Sequence, residues 1–202
     1  DRGMSSAVDP ATPVALDAEP TIVATPVAAR PRRWRVAGGA GAAGALGVAT
    51  GAMPALTLFA ELDHRALGRL RVSGRWGRRG AALEDGSATF DWARLQGEAC
   101  PAAAAIDLGA ASLGGCAGIQ LGTLRGRGAE IAGARVVWRP WLAPQLAGHV
   151  RRPLGARWFF ELEVAAAFPL TRDHFYFMPD TTVHRVPAAV FEVAIMLGVS
   201  IP

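Results

Sequence analysis

The chain has 202 residues, with 21 basic against 17 acidic side chains and a formal net charge of +4. Every basic residue is arginine, and lysine and asparagine are absent, a bias that fits GC-rich codon usage better than selection for phosphate contacts. With so modest a charge and no basic run interleaved with aromatics, composition argues against a nucleic-acid partner. The length suggests one domain with a tail.

Residues 1–31 read as that tail. Pro10, Pro13, Pro20, Pro26 and Pro31 are spread among Ala, Thr, Val and acids, so little can pack and regular structure is blocked. A disordered Pro/Ala-rich arm or linker is expected here, with the folded domain over 32–202. Asp1 fits either a processed start or a piece of a longer chain.

From Arg32 the pattern changes to alternation. Successive side chains of a strand point to opposite faces, so alternating apolar and polar residues mark a two-faced strand. The first strand is expected over Trp34–Ala43, followed by a Gly-rich loop up to Pro54. The second, Ala55–Asp63, puts Leu56, Leu58, Ala60 and Leu62 opposite Thr57, Phe59, Glu61 and Asp63. The third, Leu67–Trp76, is the clearest: Arg69, Arg71, Ser73 and Arg75 oppose Leu70, Val72, Gly74 and Trp76. A polar loop is expected over Arg78–Gly86. The fourth strand, Ser87–Leu95, sets Ala88, Phe90 and Trp92 against Thr89 and Asp91.

The fifth strand is less regular and falls within Ser112–Leu124, before a polar loop over Arg125–Gly133. The sixth, Ala134–Val150, places Val136, Trp138, Leu142 and Leu146 opposite Arg135, Arg139, Gln145 and His149, with Arg151 continuing the polar side. Pro140 and Pro144 predict a bulge or an interruption there. The seventh, Arg157–Phe168, opposes Trp158, Phe160, Leu162 and Val164 to Arg157, Phe159, Glu161 and Glu163. After a long loop, the eighth, Ala189–Ile201, sets Phe191, Val193, Ile195, Leu197 and Val199 against Glu192, Ala194, Met196, Gly198 and Ser200.

No helical period is long enough to cover a sheet. Closure into an all-β, eight-stranded antiparallel up-and-down barrel would remove the unpaired edges. One competing reading is a single membrane helix in the uncharged run Val36–Ala60, which is long enough to span but interrupted by glycines and Pro54. Alternation alone does not say which face points inward. A soluble, lipocalin-like barrel would line a ligand cavity with its apolar face, whereas an outer-membrane barrel turns that face to lipid.

Three features favour the membrane form. Trp34, Trp76, Trp92, Trp138 and Trp158 stand near strand ends on the apolar faces, as lipid-interface aromatics do. The other faces carry balanced charge: Arg69, Arg71, Arg75, Arg135, Arg139 and Arg157 could meet Glu61, Asp63, Asp91, Glu161, Glu163 and Glu192 in an interior network. Connections are expected to be long after strands 1, 3, 5 and 7 and shorter after 2 and 6, with the one after strand 4 breaking the rule.

The run EACPAAAAIDLGAASLGGCAGIQLGTLRGRG, Glu98–Gly128, with PLTRDHFYF, Pro169–Phe177, and VHRVPAAVFEVAIMLGVSIP, Val183–Pro202, resembles small outer-membrane β-barrel proteins of myxobacteria and related Gram-negative bacteria. Those chains end in an aromatic and a proline; Ile201 stands in the aromatic place. The resemblance implies the barrel over 32–202 and brings no activity with it.

Cys100 and Cys116 are the only cysteines. In an oxidising periplasm they can form a disulfide; two buried thiols are the alternative. His64, His149, His174 and His184 are dispersed, so no metal site, cofactor or catalytic residue is nominated. Ser73, Ser87, Ser112 and Ser200 lack a GxSxG setting, which leaves an outer-membrane lipid hydrolase as a third reading, behind the membrane barrel and the soluble one. The leading expectation is a plugged, monomeric outer-membrane barrel with a structural, adhesive or envelope-organising role. Its partners would be membrane lipid and whatever a periplasmic arm reaches.

Overall fold

A computed structural model describes residues 34–83, 86–129, 136–172, 174–177 and 181–201. The expected arm and Arg135 lie outside these residues. The elements are β1 (Trp34–Ala49), β2 (Gly51–His64), β3 (Gly68–Leu83), β4 (Gly86–Pro101), a 3-10 turn (Ala102–Ala104), β5 (Ala105–Asp107), β6 (Ser112–Ala129), β7 (Val136–Pro153), β8 (Trp158–Ala167), β9 (His174–Phe177), β10 (Thr181–Arg185) and β11 (Val190–Ile201). Each of β1–β4, β6–β8 and β11 pairs antiparallel with two neighbours. Ala40 of β1 stands opposite Leu197 of β11 on one side and Leu58 of β2 on the other, which closes the eight strands into a barrel. β5 adds a short edge to β6, and β9 and β10 form a separate hairpin.

The expected strands are all present, but several run further. No Gly-rich loop separates the first two. β1 continues to Ala49 and turns at Thr50, with a register shift between Leu46 and Ala49 and with Gly47 and Gly51 at positive φ. The connection after the first strand is therefore short, as is the one after β3, where β3–β4 pairing runs to Leu83 opposite Gly86. The expected alternation of loop lengths is corrected at both places. The competing membrane helix is also excluded, because 36–60 forms a two-stranded hairpin.

Pro140 and Pro144 do not interrupt β7, which pairs with β6 without a shift from Arg151 opposite Ser112 to Val136 opposite Arg127. The carbonyl of Pro144 accepts from the Phe168 N–H at 2.9 Å, and that of Pro140 from the Thr171 hydroxyl at 3.2 Å. A strand residue's N–H and C=O point to the same neighbour, so both missing donors face the region just past the end of β8. The β6 ladder loses nothing.

Candidate functional site

The barrel turns its polar face inward. Leu58, Val72, Leu95, Leu121, Val164 and Ile195 are each about half exposed or more, whereas Arg71, Arg75, Arg94, Glu161, Glu163 and Glu192 are each at most 4% exposed. In β11 the outward apolar positions run from Phe191 to Ile201, matching the length of a tilted strand that spans a bilayer. A soluble barrel with an apolar cavity has the opposite arrangement.

The interior is layered. Towards the end where β3 turns into β4, apolar side chains fill it: Val48, Met53, Phe90, Trp92, Leu124 and Trp141 pack together, with Trp92 and Trp141 edge to face at 5.5 Å. Below them, Glu192 accepts from Arg75, Arg94 and, at 2.7 Å, Gln120. Arg75 also bonds Glu163 at 2.5 Å. Gln145 bridges Gln120 at 2.5 Å and Glu98 at 2.6 Å.

In the next layer Arg71 donates to Glu161, which also lies 3.1 Å from His149 Nδ1. Near the end that holds Trp34 and Ile201, Arg151 clamps Glu61 with two bonds of 2.5 and 2.7 Å and reaches Glu161 as well. The guanidinium groups of Arg71 and Arg151 also sit 3.9 Å over the rings of Phe59 and Phe159. A Cβ on Gly198 would collide with the Phe159 ring, so glycine there makes room for the aromatic that carries the arginine.

Of the expected interior charges, the structure brings together Glu61, Arg69, Arg71, Arg75, Glu161, Glu163 and Glu192. Asp63 is half-buried at the rim. Asp91 points outward and pairs with Arg78 at 3.4 Å. Arg139 and Arg157 are exposed beyond the sealed layers, Arg157 in the turn between β7 and β8. These last three are corrections to the expected network. The Asp91 error has a structural cause: the inward face of β4 is apolar over Ala88, Phe90 and Trp92 and polar over Arg94, Gln96 and Glu98. A strand ended at Leu95 includes Arg94 but leaves out Gln96 and Glu98, so the apolar residues outweigh the polar ones on the inward face and the faces are assigned backwards.

The same inversion moves Trp92 from the expected lipid interface to the fully buried interior. Trp34, Trp76, Trp138 and Trp158 are exposed, the first and last at the chain-terminal end of the barrel. Arg94, Glu98, Gln120, His149 and Arg151 belong to the network in addition to the expected set. Strand parity already places His149 and Arg151 on the polar face.

Within this network the buried Arg71, Arg75 and Arg94 and the partly buried Arg69 and Arg151 are matched by an equal number of glutamates, Glu61, Glu98, Glu161, Glu163 and Glu192. Donor atoms of Glu98, His149 and Glu163 lie within 4.8 Å of one another. A divalent cation there would nevertheless add positive charge to a cluster already balanced, a costly state in a buried setting.

Cys100 and Cys116 form a cross-strand disulfide between β4 and β6, packed on Ala147 and Ala165. It closes the segment holding the 3-10 turn and β5. For a loop of this size the chain-entropy model assigns about 3 kcal/mol. Reduction, or Cys100→Ala with Cys116→Ala, is expected to lower unfolding free energy by up to that amount while the barrel still folds. Denaturant titration with and without reductant checks this; an unchanged midpoint would show that the bridge is idle.

At the opposite end, His184 of β10 holds the Gly47 carbonyl at 3.1 Å and meets the Phe90 ring edge-on at 6.0 Å. Burial pushes its pKa below the ordinary histidine value, only partly opposed by the Gly47 bond. A folded pKa below the unfolded one of about 6.5 gives a contribution present above that value and lost as pH falls through the folded pKa. The protection factors of the amides over 184–190, taken relative to the intrinsic exchange rate at each pH, are therefore expected to fall on going from neutral to mildly acidic pH, and to fall less in His184→Gln. Equal pH dependence in both proteins would remove His184 as the cause.

No protein-family model matches the chain, and no curated protein does. Solved structures do resemble it. Neisserial surface protein A aligns at a TM-score of 0.57 with 11% identity, covering 83% of this chain and 97% of the other. A major outer membrane protein of Thermus thermophilus aligns at 0.51 with 14% identity, covering 82% and 99%. Ail, the attachment invasion locus protein of Yersinia pestis, aligns at 0.50 with 10% identity, covering 83% and 97%. At these identities what is shared is the fold: the chain has the closed, eight-stranded antiparallel barrel of these proteins.

Proposed function

We propose that the chain is a small bacterial outer-membrane barrel whose role is structural, adhesive or envelope-organising rather than that of a pore. The observation that carries this reading is the inversion of faces: leucine, valine and isoleucine outward, paired arginine and glutamate sealed inside. In water that arrangement exposes a continuous apolar surface far larger than soluble monomers tolerate. In a bilayer it is the expected one. The filled lumen fits an eight-stranded barrel, whose interior holds side chains and leaves no wide channel.

With the strands spanning the membrane, β1 and β11 place both barrel termini on one side. The longest connection, from Phe168 to Ala189, lies on the other. Longer loops are external in outer-membrane barrels, so the Trp34 end is periplasmic and residues 1–31 form a periplasmic arm available to a partner there. Each barrel closes its own edges, and the protein works as a monomer. Membership of the myxobacterial group belongs to this same proposal.

Fractionation of expressing cells tests the reading. The protein is expected in the outer-membrane fraction, released by detergent and migrating differently on gels with and without heating. Recovery in the aqueous periplasmic fraction without detergent would overturn it.

A further inference from the structure

We propose that the outer surface of β3, β4, β6 and β7, near the loop end, is a binding site for a phosphorylated glycolipid: phosphate held by arginines, one acyl chain in the apolar groove below. The proposal rests on the membrane reading above and adds a ligand to it.

Strand register places Arg78, Asp91, Arg125 and Trp138 in one lateral row across these four strands. Arg127 stands in the next row out. The row lies at the upper limit of the exposed apolar belt, where lipid headgroups would meet the barrel. Arg78 is tied to Asp91 at 3.4 Å. The Arg125 guanidinium lies 5.0 Å over the Trp138 ring, and its Nε is buried with no hydrogen-bond partner. Arg127 is exposed. Three arginines and one carboxylate leave an excess of two positive charges on a surface otherwise apolar, together with Trp76 lining one concavity.

Immediately below, the rows become Trp76–Ala93–Thr123 and then Leu58–Gly74–Leu95–Leu121. The small residues Gly74, Ala93 and Thr123 leave a depression between Leu56, Leu58 and Trp76 on one side and Leu95 and Leu121 on the other. It opens upward onto the arginines. Headgroup site and chain groove are thus continuous, as an amphipathic ligand requires.

Guanidinium groups recognise phosphate by paired, charge-assisted hydrogen bonds. A phosphate monoester carries about −1.5 to −2 charge, close to the surplus here, whereas a phospholipid diester carries less. On the external side of an outer membrane, the lipid of that chemistry is the phosphorylated glycolipid of the outer leaflet.

The test uses the full chain folded in detergent micelles, with native mass spectrometry reading lipid retention. The probes are bisphosphorylated lipid A, the same lipid dephosphorylated, and phosphatidylglycerol. Bisphosphorylated lipid A should be retained preferentially. Arg125→Ser with Arg127→Ser should weaken it roughly tenfold or more, while Arg152→Ser, exposed near the opposite end, leaves it unchanged. Should the double variant fail the heat-modifiability check for folding, Arg127→Ser alone carries the test. Equal retention of phosphorylated and dephosphorylated lipid, equal retention by the variants, or preference for phosphatidylglycerol would each overturn the proposal. The micelle readout does not depend on where the cell places the chain. Recovery from the aqueous fraction therefore sinks the membrane reading, and a membrane-extracted barrel that retains no phosphorylated lipid sinks only this one.

Discussion

Replacing Glu192 by alanine is expected to destabilise the barrel by about 3–5 kcal/mol, the cost of removing one member of a buried ion cluster. Glu192 is the shared acceptor of Arg75, Arg94 and Gln120, and it is 1% exposed. Its loss takes a carboxylate away from two guanidinium groups that no solvent reaches. Arg75 retains Glu163, whereas Arg94 is left with the neutral Gln96, so Arg94 carries most of the penalty. Arg71→Ala should cost less than this but clearly more than a surface change, because Glu161 keeps Arg69, Arg151 and His149 while a buried donor and the cation over Phe59 are lost.

Arg79→Ala supplies the control. Arg79 is exposed at the loop end, and a surface change of this kind moves stability by no more than about 0.5 kcal/mol. Urea unfolding in lipid vesicles, read by tryptophan fluorescence and by heat-modifiable migration, separates the three variants. Midpoints for Glu192→Ala and Arg71→Ala equal to that of Arg79→Ala would mean that the interior charges are solvated and that the sealed cluster does not exist in solution.

How much of this is legible in sequence depends on whether each strand keeps one character along its length. β3 and β11 do, and their inward and outward sets are readable residue by residue. β4 changes character halfway, so parity is visible but its meaning is reversed, and Asp91 and Trp92 exchange places. Glycine misleads differently. Gly44 and Gly47 suggest a loop, yet β1 runs through both, as it does through Gly39 and Gly41, where a Cβ would collide with the carbonyl oxygens of Leu197 and Ile195. Here glycine marks close approach of strands inside a narrow barrel, a demand set by the neighbours β11 and β2 and not by local sequence. On β6 the inward positions Gly118 and Gly122 leave room beside Glu98 and Arg94, which weakens the alternation that would have announced the strand. The partners within the network are illegible for a related reason: Arg75 meets Glu192 only because closure brings β3 across the lumen from β11.

The largest effect expected on the outer surface is that of Ile195→Arg. Ile195 lies midway along the outward apolar run of β11 and is 54% exposed. In water, an arginine at a half-exposed strand position facing solvent would be nearly neutral. At the middle of a bilayer it costs about 2–4 kcal/mol, falling to about 0–1 near the interfaces. Ile201→Arg, at the end of β11 on the same outward face as Ile195 and near the Trp34 level, is 58% exposed and serves as the interfacial comparison. The expected result is a depth dependence: Ile195→Arg lowers folding free energy in vesicles strongly, Ile201→Arg hardly at all. The interior cluster predicts buried charge whatever surrounds the barrel, so the Glu192 variant cannot distinguish water from lipid outside it. Ile195→Arg can. Equal, small effects at both positions would leave the sealed interior intact and remove the bilayer from the account, because only a low-dielectric exterior makes a charge on the outside of this barrel more costly at its waist than at its rim.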